Sequence, residues 1–208
     1  MSIFFDFPAM DVVVQGIEAV EIPPMVKVRQ IYDSHKIDDP AGYITKIMNG
    51  YKGVDPSQFS GKRIAITVGS RGIPDLDKMI KAVIEMLKKW GAEPFIVPAM
   101  GSHGGANAQG QIEVIESFGI TEQTMGVPIL SSMEVVQYGS LECGIPLYLD
   151  KYAMEADGIV LFNKVKPHTE FRGDHESGLI KMVAIGLANH IGASMFHQLG
   201  MSNFPQYF

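Results

Sequence analysis

Short, continuously apolar runs alternate along the chain with stretches of helical spacing. Arg63–Val68 (RIAITV) is apolar and β-branched, as a strand covered on both faces requires. Gly69-Ser70-Arg71-Gly72 interrupts it. Ile73, Leu76, Met79, Ile80, Val83, Ile84 and Leu87 then recur three or four positions apart, which predicts a helix over residues 73–90. Pro74 suits its first position, Asp75 and Asp77 its N-terminal end, Lys88 and Lys89 its C-terminal end, and Gly91 its stop. The unit repeats. Residues 94–98 (PFIVP) read as a strand, Gly101-Ser102-His103-Gly104-Gly105 as a break, and residues 107–118 as a helix closed by Gly119. The two breaks, Gly-Ser-Arg-Gly and Gly-Ser-His-Gly, lie 32 positions apart (69 to 101), as two consecutive βα units would place them.

The flanking segments are less regular. Residues 21–32 (EIPPMVKVRQIY) predict a strand centred on 26–31, and residues 40–52 a short helix after Pro40. Asp55-Pro56-Ser57 and Ser60-Gly61 mark a turn. Residues 134–138 and 146–149 are expected to pair as short strands. Residues 156–162 (ADGIVLF) predict a strand that leads into a loop over 163–173. A helix over 177–189 and a short one near 193–199 should follow. The fold class is therefore α/β, an open, mainly parallel, Rossmann-like sheet with helices on both faces, in one domain spanning 1–208. In that architecture the loops after the strands share one rim, where ligands bind. Arg71, His103 and residues 164–172 should gather there.

Composition narrows the function classes. Apolar residues make up 46% and charged residues 19%, which excludes a disordered or coiled-coil protein. The net charge of −6 leaves no basic surplus for a nucleic-acid surface. The single cysteine, Cys143, cannot form an intramolecular disulfide, which suits a reducing compartment. The opening Met1-Ser2-Ile3-Phe4-Phe5-Asp6 lacks the basic start of a signal peptide. No run approaches the roughly 18 apolar residues of a membrane span. A cytoplasmic protein without membrane or nucleic-acid partners is expected.

The chemistry-bearing residues cluster in the predicted loops. The glycine-rich breaks could cradle an anion, or could simply be tight βα turns. Neither is a dinucleotide fingerprint, and Gly61-Lys62 precedes its strand and is followed by Arg63, so it is no P-loop. Of the six histidines, His35, His175 and His190 read as solvated or helix-end residues. His103 and His168 each follow a strand, and two imidazoles could serve as acid and base on either side of one carbon. No zinc motif is present. A metal would need distant histidines or a cofactor that supplies most of the ligands. Lys164-Val165-Lys166-Pro167-His168, with Arg172 near, forms a cationic loop suited to a carboxylate or phosphate. Lys181 falls at the start of a predicted helix among Ile180, Met182 and Val183, where a cation is disfavoured, so it is a candidate nucleophile or a snorkelling surface lysine.

Three runs together carry a family resemblance: Gly101-Ser102-His103, the stretch from Lys166 to Gly173 (KPHTEFRG), and that from Glu176 to Met182 (ESGLIKM). In this order they resemble the nickel-dependent lactate racemase family, over about residues 62–207. The resemblance implies the N-terminal domain of a two-domain α/β enzyme, with the C-terminal domain absent from this chain and expected to close the site. It implies a nickel-pincer nucleotide tethered to lysine, which takes a hydride from a 2-hydroxy acid and returns it to either face. By position, His103 and His168 resemble the proton-exchanging pair, Lys181 the tether and His197 the nickel ligand. His197 rests on the resemblance alone. Ser70, Arg71, Gly101 and Gly104 are expected to contact the cofactor. Better-known members carry Asp-x-Thr-Arg-Pro after the strand, where this chain reads Val68-Gly69-Ser70-Arg71-Gly72. The segment between His168 and Lys181 is also longer than in lactate racemases and contains Arg172, His175 and Glu176, so a 2-hydroxy acid larger or more polar than lactate is the expected substrate.

Two functions remain at this level: racemisation or epimerisation of a 2-hydroxy acid, and non-catalytic binding of a nucleotide or organic acid. A Rossmann-type dehydrogenase is disfavoured, because its glycine fingerprint is lacking.

Overall fold

The structure, a computed structural model, describes residues 21, 24–31, 35–200 and 203–207. Its contacts divide the chain into two units, Met1–Lys36 and Ile37–Phe208. In the first, residues 24–31 form no strand, contrary to the sequence pattern, and Met25, Val26, Val28 and Ile31 are exposed. Alternation alone does not make a strand; a neighbouring ladder must take up its N–H and C=O groups. Residues 22, 23 and 32 of that expected strand, and residues 1–6, lie outside the described residues.

The second unit carries everything that positions the cleft described below. Its strands are β1 (Arg63–Val68), β2 (Glu93–Pro98), β3 (Val135–Ser140), β4 (Pro146–Asp150) and β5 (Gly158–Val160). The main sheet is parallel throughout, in the order β2-β1-β5, with Ile64 opposite both Pro94 and Gly158. β3 and β4 pair antiparallel in a separate two-stranded sheet. The helices are α1 (Pro40–Gly50), α2 (Leu76–Lys89), α3 (Ala108–Glu116), α4 (Glu122–Met125), α5 (Lys151–Met154), α6 (Leu179–Lys181), α7 (Asn189–Gln198) and α8 (Phe204–Tyr207). A π-helical segment, Met182–Gly186, continues α6. Among the described residues no single helix is long and apolar enough to cross a membrane.

Strand alternation sorts the core into two layers. Ile64, Ile66 and Val68 of β1 join Ile96 of β2 against Ile80, Ile84 and Leu87 of α2. Ala65, Phe95 and Val97 face the other way, against Ala153 of α5, Met182 and Leu187. Both faces of the sheet are thus covered, as the apolar runs require. Each large aliphatic side chain withdrawn from water here contributes on the order of 2 kcal/mol.

Two helices differ from their sequence pattern. α2 begins at Leu76, not Ile73, because Asp75 stands at φ 55° and cannot lie inside a right-handed helix. Ile73 still packs on the core, so its apolar spacing reflects burial before the helix starts. The single helix expected over 177–189 is three pieces. Gly178 stands at φ 81° ahead of α6, the π-helical segment follows, and the chain then turns through 102° into α7. Asn189, fully buried at φ 49°, forms that corner. α7 therefore starts at Asn189, four residues before the predicted position, and Gly192 does not interrupt it.

Candidate active site

Because β1, β2 and β5 run parallel, the loops after Val68, Pro98 and Val160 leave the same edge of the sheet. They enclose a cleft of about 670 Å³ lined by Ser70, Arg71, His103, His168, Lys181 and His197, among others. Six of the eight residues singled out from the sequence thus meet in one place. Lys164, Lys166 and Glu170 also face it. Four fixed cations against one carboxylate make the cleft attractive to an anion.

His103 is held from the neighbouring loop. Its Nδ1 lies 2.6 Å from Ser70 Oγ, so a side-chain hydrogen bond links the loops that follow β1 and β2. The imidazole is lowered below its ordinary pKa by partial withdrawal from water, then by the positive charges of Arg71 and Lys181. His168 is fixed differently. Its Nδ1 accepts the Glu170 N–H at 3.2 Å, so the neutral ring carries its proton on Nε2. The ring stacks on Phe171 at 4.2 Å between centroids. Its pKa is lowered by burial and by Lys181 and Lys166, against opposing contributions from Glu170 and Glu176.

Lys181 ends α6 on the floor of the cleft, half-buried. Desolvation lowers its pKa first, and Lys166 and Arg71 lower it further; Glu170 acts the other way. An amine in that setting is more readily deprotonated, and so more nucleophilic, than a solvated one. Since Lys181, His103 and His168 each feel shared charges, the cluster behaves as one electrostatic unit.

His197 reaches the cleft from α7, its ring 5.7 Å from that of the fully buried Phe204. Phe204 in turn meets Phe171 at 5.5 Å, which links the supports of His168 and His197. His190 shares α7 but does not line the cleft. Among the described residues no group of three His, Cys, Asp or Glu side chains could hold a metal ion.

Gly101 and Gly104 do not line the cleft. The Gly101 N–H is already given to Gly186 C=O at 3.0 Å, and its φ of 62° favours glycine. A Cβ on Gly104 would stand 2.7 Å from the Gly110 main chain. Both glycines shape the loop that presents His103. Arg172 also points away from the cleft and pairs with Glu176 at 3.6 Å.

Several supporting residues escaped the sequence reading. Asn163 closes the neck of the His168 loop by donating to Gly178 C=O at 2.7 Å. Ser177 accepts the Lys166 N–H at 2.7 Å. Asn189 donates to Asp150 Oδ2 at 2.8 Å and to Ser132 C=O at 3.0 Å, and so pins the corner between the segments that carry Lys181 and His197. Only Asn189 had a readable signal, since asparagine is among the few side chains that tolerate a left-handed backbone.

Fold and site together define an α/β domain with an imidazole- and amine-lined, anion-attracting cleft at the carboxyl ends of its parallel strands. The chain belongs to the lactate racemase N-terminal domain family, whose model matches residues 17–206. No curated protein matches the chain.

Proposed function

We propose that this chain is the cofactor-bearing half of a racemase or epimerase acting on a 2-hydroxy acid. The observation that carries the reading is the convergence of two pKa-lowered imidazoles, a pKa-lowered amine and a further imidazole on one cationic cleft. The family implies a nickel-pincer nucleotide, and the donor set fits it. His197, an imidazole on the cleft wall apart from the His103 and His168 loops, suits a nickel ion whose other ligands come from the cofactor itself. A deprotonatable amine suits covalent tethering, and the cationic rim suits a phosphate. Lys181 would hold the group covalently, His197 would ligate its nickel, and Ser70 and Arg71 would contact it or the substrate. When bound, the group supplies the hydride acceptor and donor for the α-carbon.

The protein's own part is positioning and proton transfer. The cations orient the substrate carboxylate. A neutral imidazole takes the hydroxyl proton as the α-carbon is oxidised, and returns it when the carbon is reduced from the other face. His103 and His168 exchange these roles for the two enantiomers. The run Val68-Gly69-Ser70-Arg71-Gly72 lacks the carboxylate and proline of better-known relatives, which supports a substrate larger or more polar than lactate. A C-terminal domain would close the cleft from its open side, and the cytoplasm is the expected compartment.

Intact mass and elemental analysis of the cofactor-loaded protein test the reading. A mass adduct on Lys181 and bound nickel are expected, both abolished by Lys181→Ala. His103→Ala and His168→Ala should keep the adduct and lose turnover by on the order of 10²–10⁴-fold. Binding of a nucleotide or organic acid without any turnover in the parent would favour a binding module instead.

A further inference from the structure

Among the described residues, His168 is the only cleft imidazole whose main chain is held at both ends by side chains of its own loop. Its N–H donates to Glu176 Oε2 at 2.8 Å. Its C=O accepts from Arg172 Nη1. The two holding groups are themselves paired, Arg172 Nη1 lying 3.6 Å from Glu176 Oε2. Each makes one more main-chain contact: Glu176 Oε1 with the Gly173 N–H at 3.3 Å, and Arg172 Nη1 with the Phe171 C=O at 3.3 Å. The result is a small frame around residues 168–176, and both residues border a second concavity without lining the cleft.

An ordinary surface ion pair contributes little to stability, and the Arg172 side chain is 74% exposed. This pair differs in what it spans. The Glu176 side chain is only 17% exposed, and its carboxylate is held below the usual range chiefly by the His168 N–H. With the N–H and C=O of residue 168 both fixed, its Cα–Cβ bond has one direction, and ring contacts within the loop select the rotamer. The ring then lies on Phe171, which is 6% exposed, and its Nδ1 meets the Glu170 N–H. Two residues that do not line the cleft thereby bear on which ring nitrogen carries the proton.

We propose that Arg172 and Glu176 are positioning residues that clamp the main chain of His168 and so set the tautomer and place of its ring in the cleft. The consequence for turnover rests on the proton-exchanging role given to His168 above; the clamp itself does not. The cationic run around His168 is accordingly divided. Lys164 and Lys166 face the ligand, whereas Arg172 is committed to the loop.

Imidazole ¹⁵N spectra of the cofactor-free chain provide the primary test. The parent and Glu176→Gln, which keeps an acceptor for the His168 N–H, should show His168 with its proton on Nε2. Glu176→Ala, and the more exposed Arg172→Met should the first fail to fold, should give mixed tautomers. The double exchange Arg172→Glu with Glu176→Arg restores an ion pair but supplies no donor at 172 and no acceptor at 176, so it should stay disordered. An Nε2–H ring in Glu176→Ala or Arg172→Met, or recovery in the double exchange, would overturn the clamp. In the loaded enzyme, Glu176→Ala should lower kcat on the order of 10–100-fold with the Lys181 adduct intact. Mixed tautomers with kcat unchanged would uphold the clamp and count against the role of His168 in proton exchange.

Discussion

Replacing Asn189 by alanine should destabilise the protein by about 3 kcal/mol. The side chain is fully buried and makes two hydrogen bonds, to Asp150 Oδ2 at 2.8 Å and to Ser132 C=O at 3.0 Å. Alanine leaves the buried Asp150 Oδ2 and the part-buried Ser132 C=O without this donor. Asp150 is 1% exposed, and burial already raises its pKa while the bond from Asn189 lowers it; losing that donor leaves Oδ2 without its partner, although Oδ1 keeps the N–H groups of Tyr152 and Ala153. Orphaned buried acceptors cost about 1–3 kcal/mol. The backbone adds its own cost, because φ is 49° at this position and a residue with a Cβ loses roughly 1–2 kcal/mol there. Asn189→Gly separates the two contributions: it keeps the first and relieves the second, so it should be the milder change. Urea denaturation of the three proteins, read by far-ultraviolet circular dichroism, gives the differences directly. A midpoint for Asn189→Ala equivalent to less than about 0.5 kcal/mol would refute the argument, since a position of that kind behaves as a surface site. Equal losses for alanine and glycine would refute the backbone part alone.

Further outcomes follow from the same geometry. His103 and His168 are both lowered below the ordinary value, and each must be neutral to take a proton, so kcat/KM should stay level as pH falls to about 6.5 and decline only below it. An acid limb centred at or above neutrality would contradict this assignment. Ser70→Ala removes the 2.6 Å partner of His103 but not the imidazole, so kcat should fall on the order of tenfold, well short of the loss in His103→Ala. Gly104→Ala should destabilise the fold by about 1–3 kcal/mol, because its Cβ meets the Gly110 main chain at 2.7 Å and its φ is 65°. Gly72→Ala, whose Cβ meets nothing within 4 Å, should leave denaturation unchanged although it borders the cleft.

β1 and β2 could be read almost to the residue, and so could the loops that follow them. A strand covered on both faces must be apolar without interruption, and the glycines after it mark where the chain leaves the sheet; both signals are local. Those strands and β5 run parallel, so their loops share a rim, and the pattern alone groups Arg71, His103 and His168 across long separations. The strand expected over 26–31 shows the limit, since its alternation says nothing about a partner. The corner at Asn189 lay beyond the sequence for a related reason. Leu187, Asn189 and Asp150 find one another only in the folded chain, and their bonds, not helix propensity, decide where the helix over 177–189 breaks.

The sequence by itself determined the class of the fold, the edge on which the chemistry gathers and most of the side chains found there, because periodicity and strand-end position are properties of neighbours along the chain. Only the tertiary structure decided how each group is held. Ser70 is bonded to His103, Arg172 is turned from the cleft to the His168 main chain, and Gly101 is spent on a contact with Gly186. Hydrogen bonds are short and directional, so two residues with the same type and spacing can serve opposite purposes once the chain has folded.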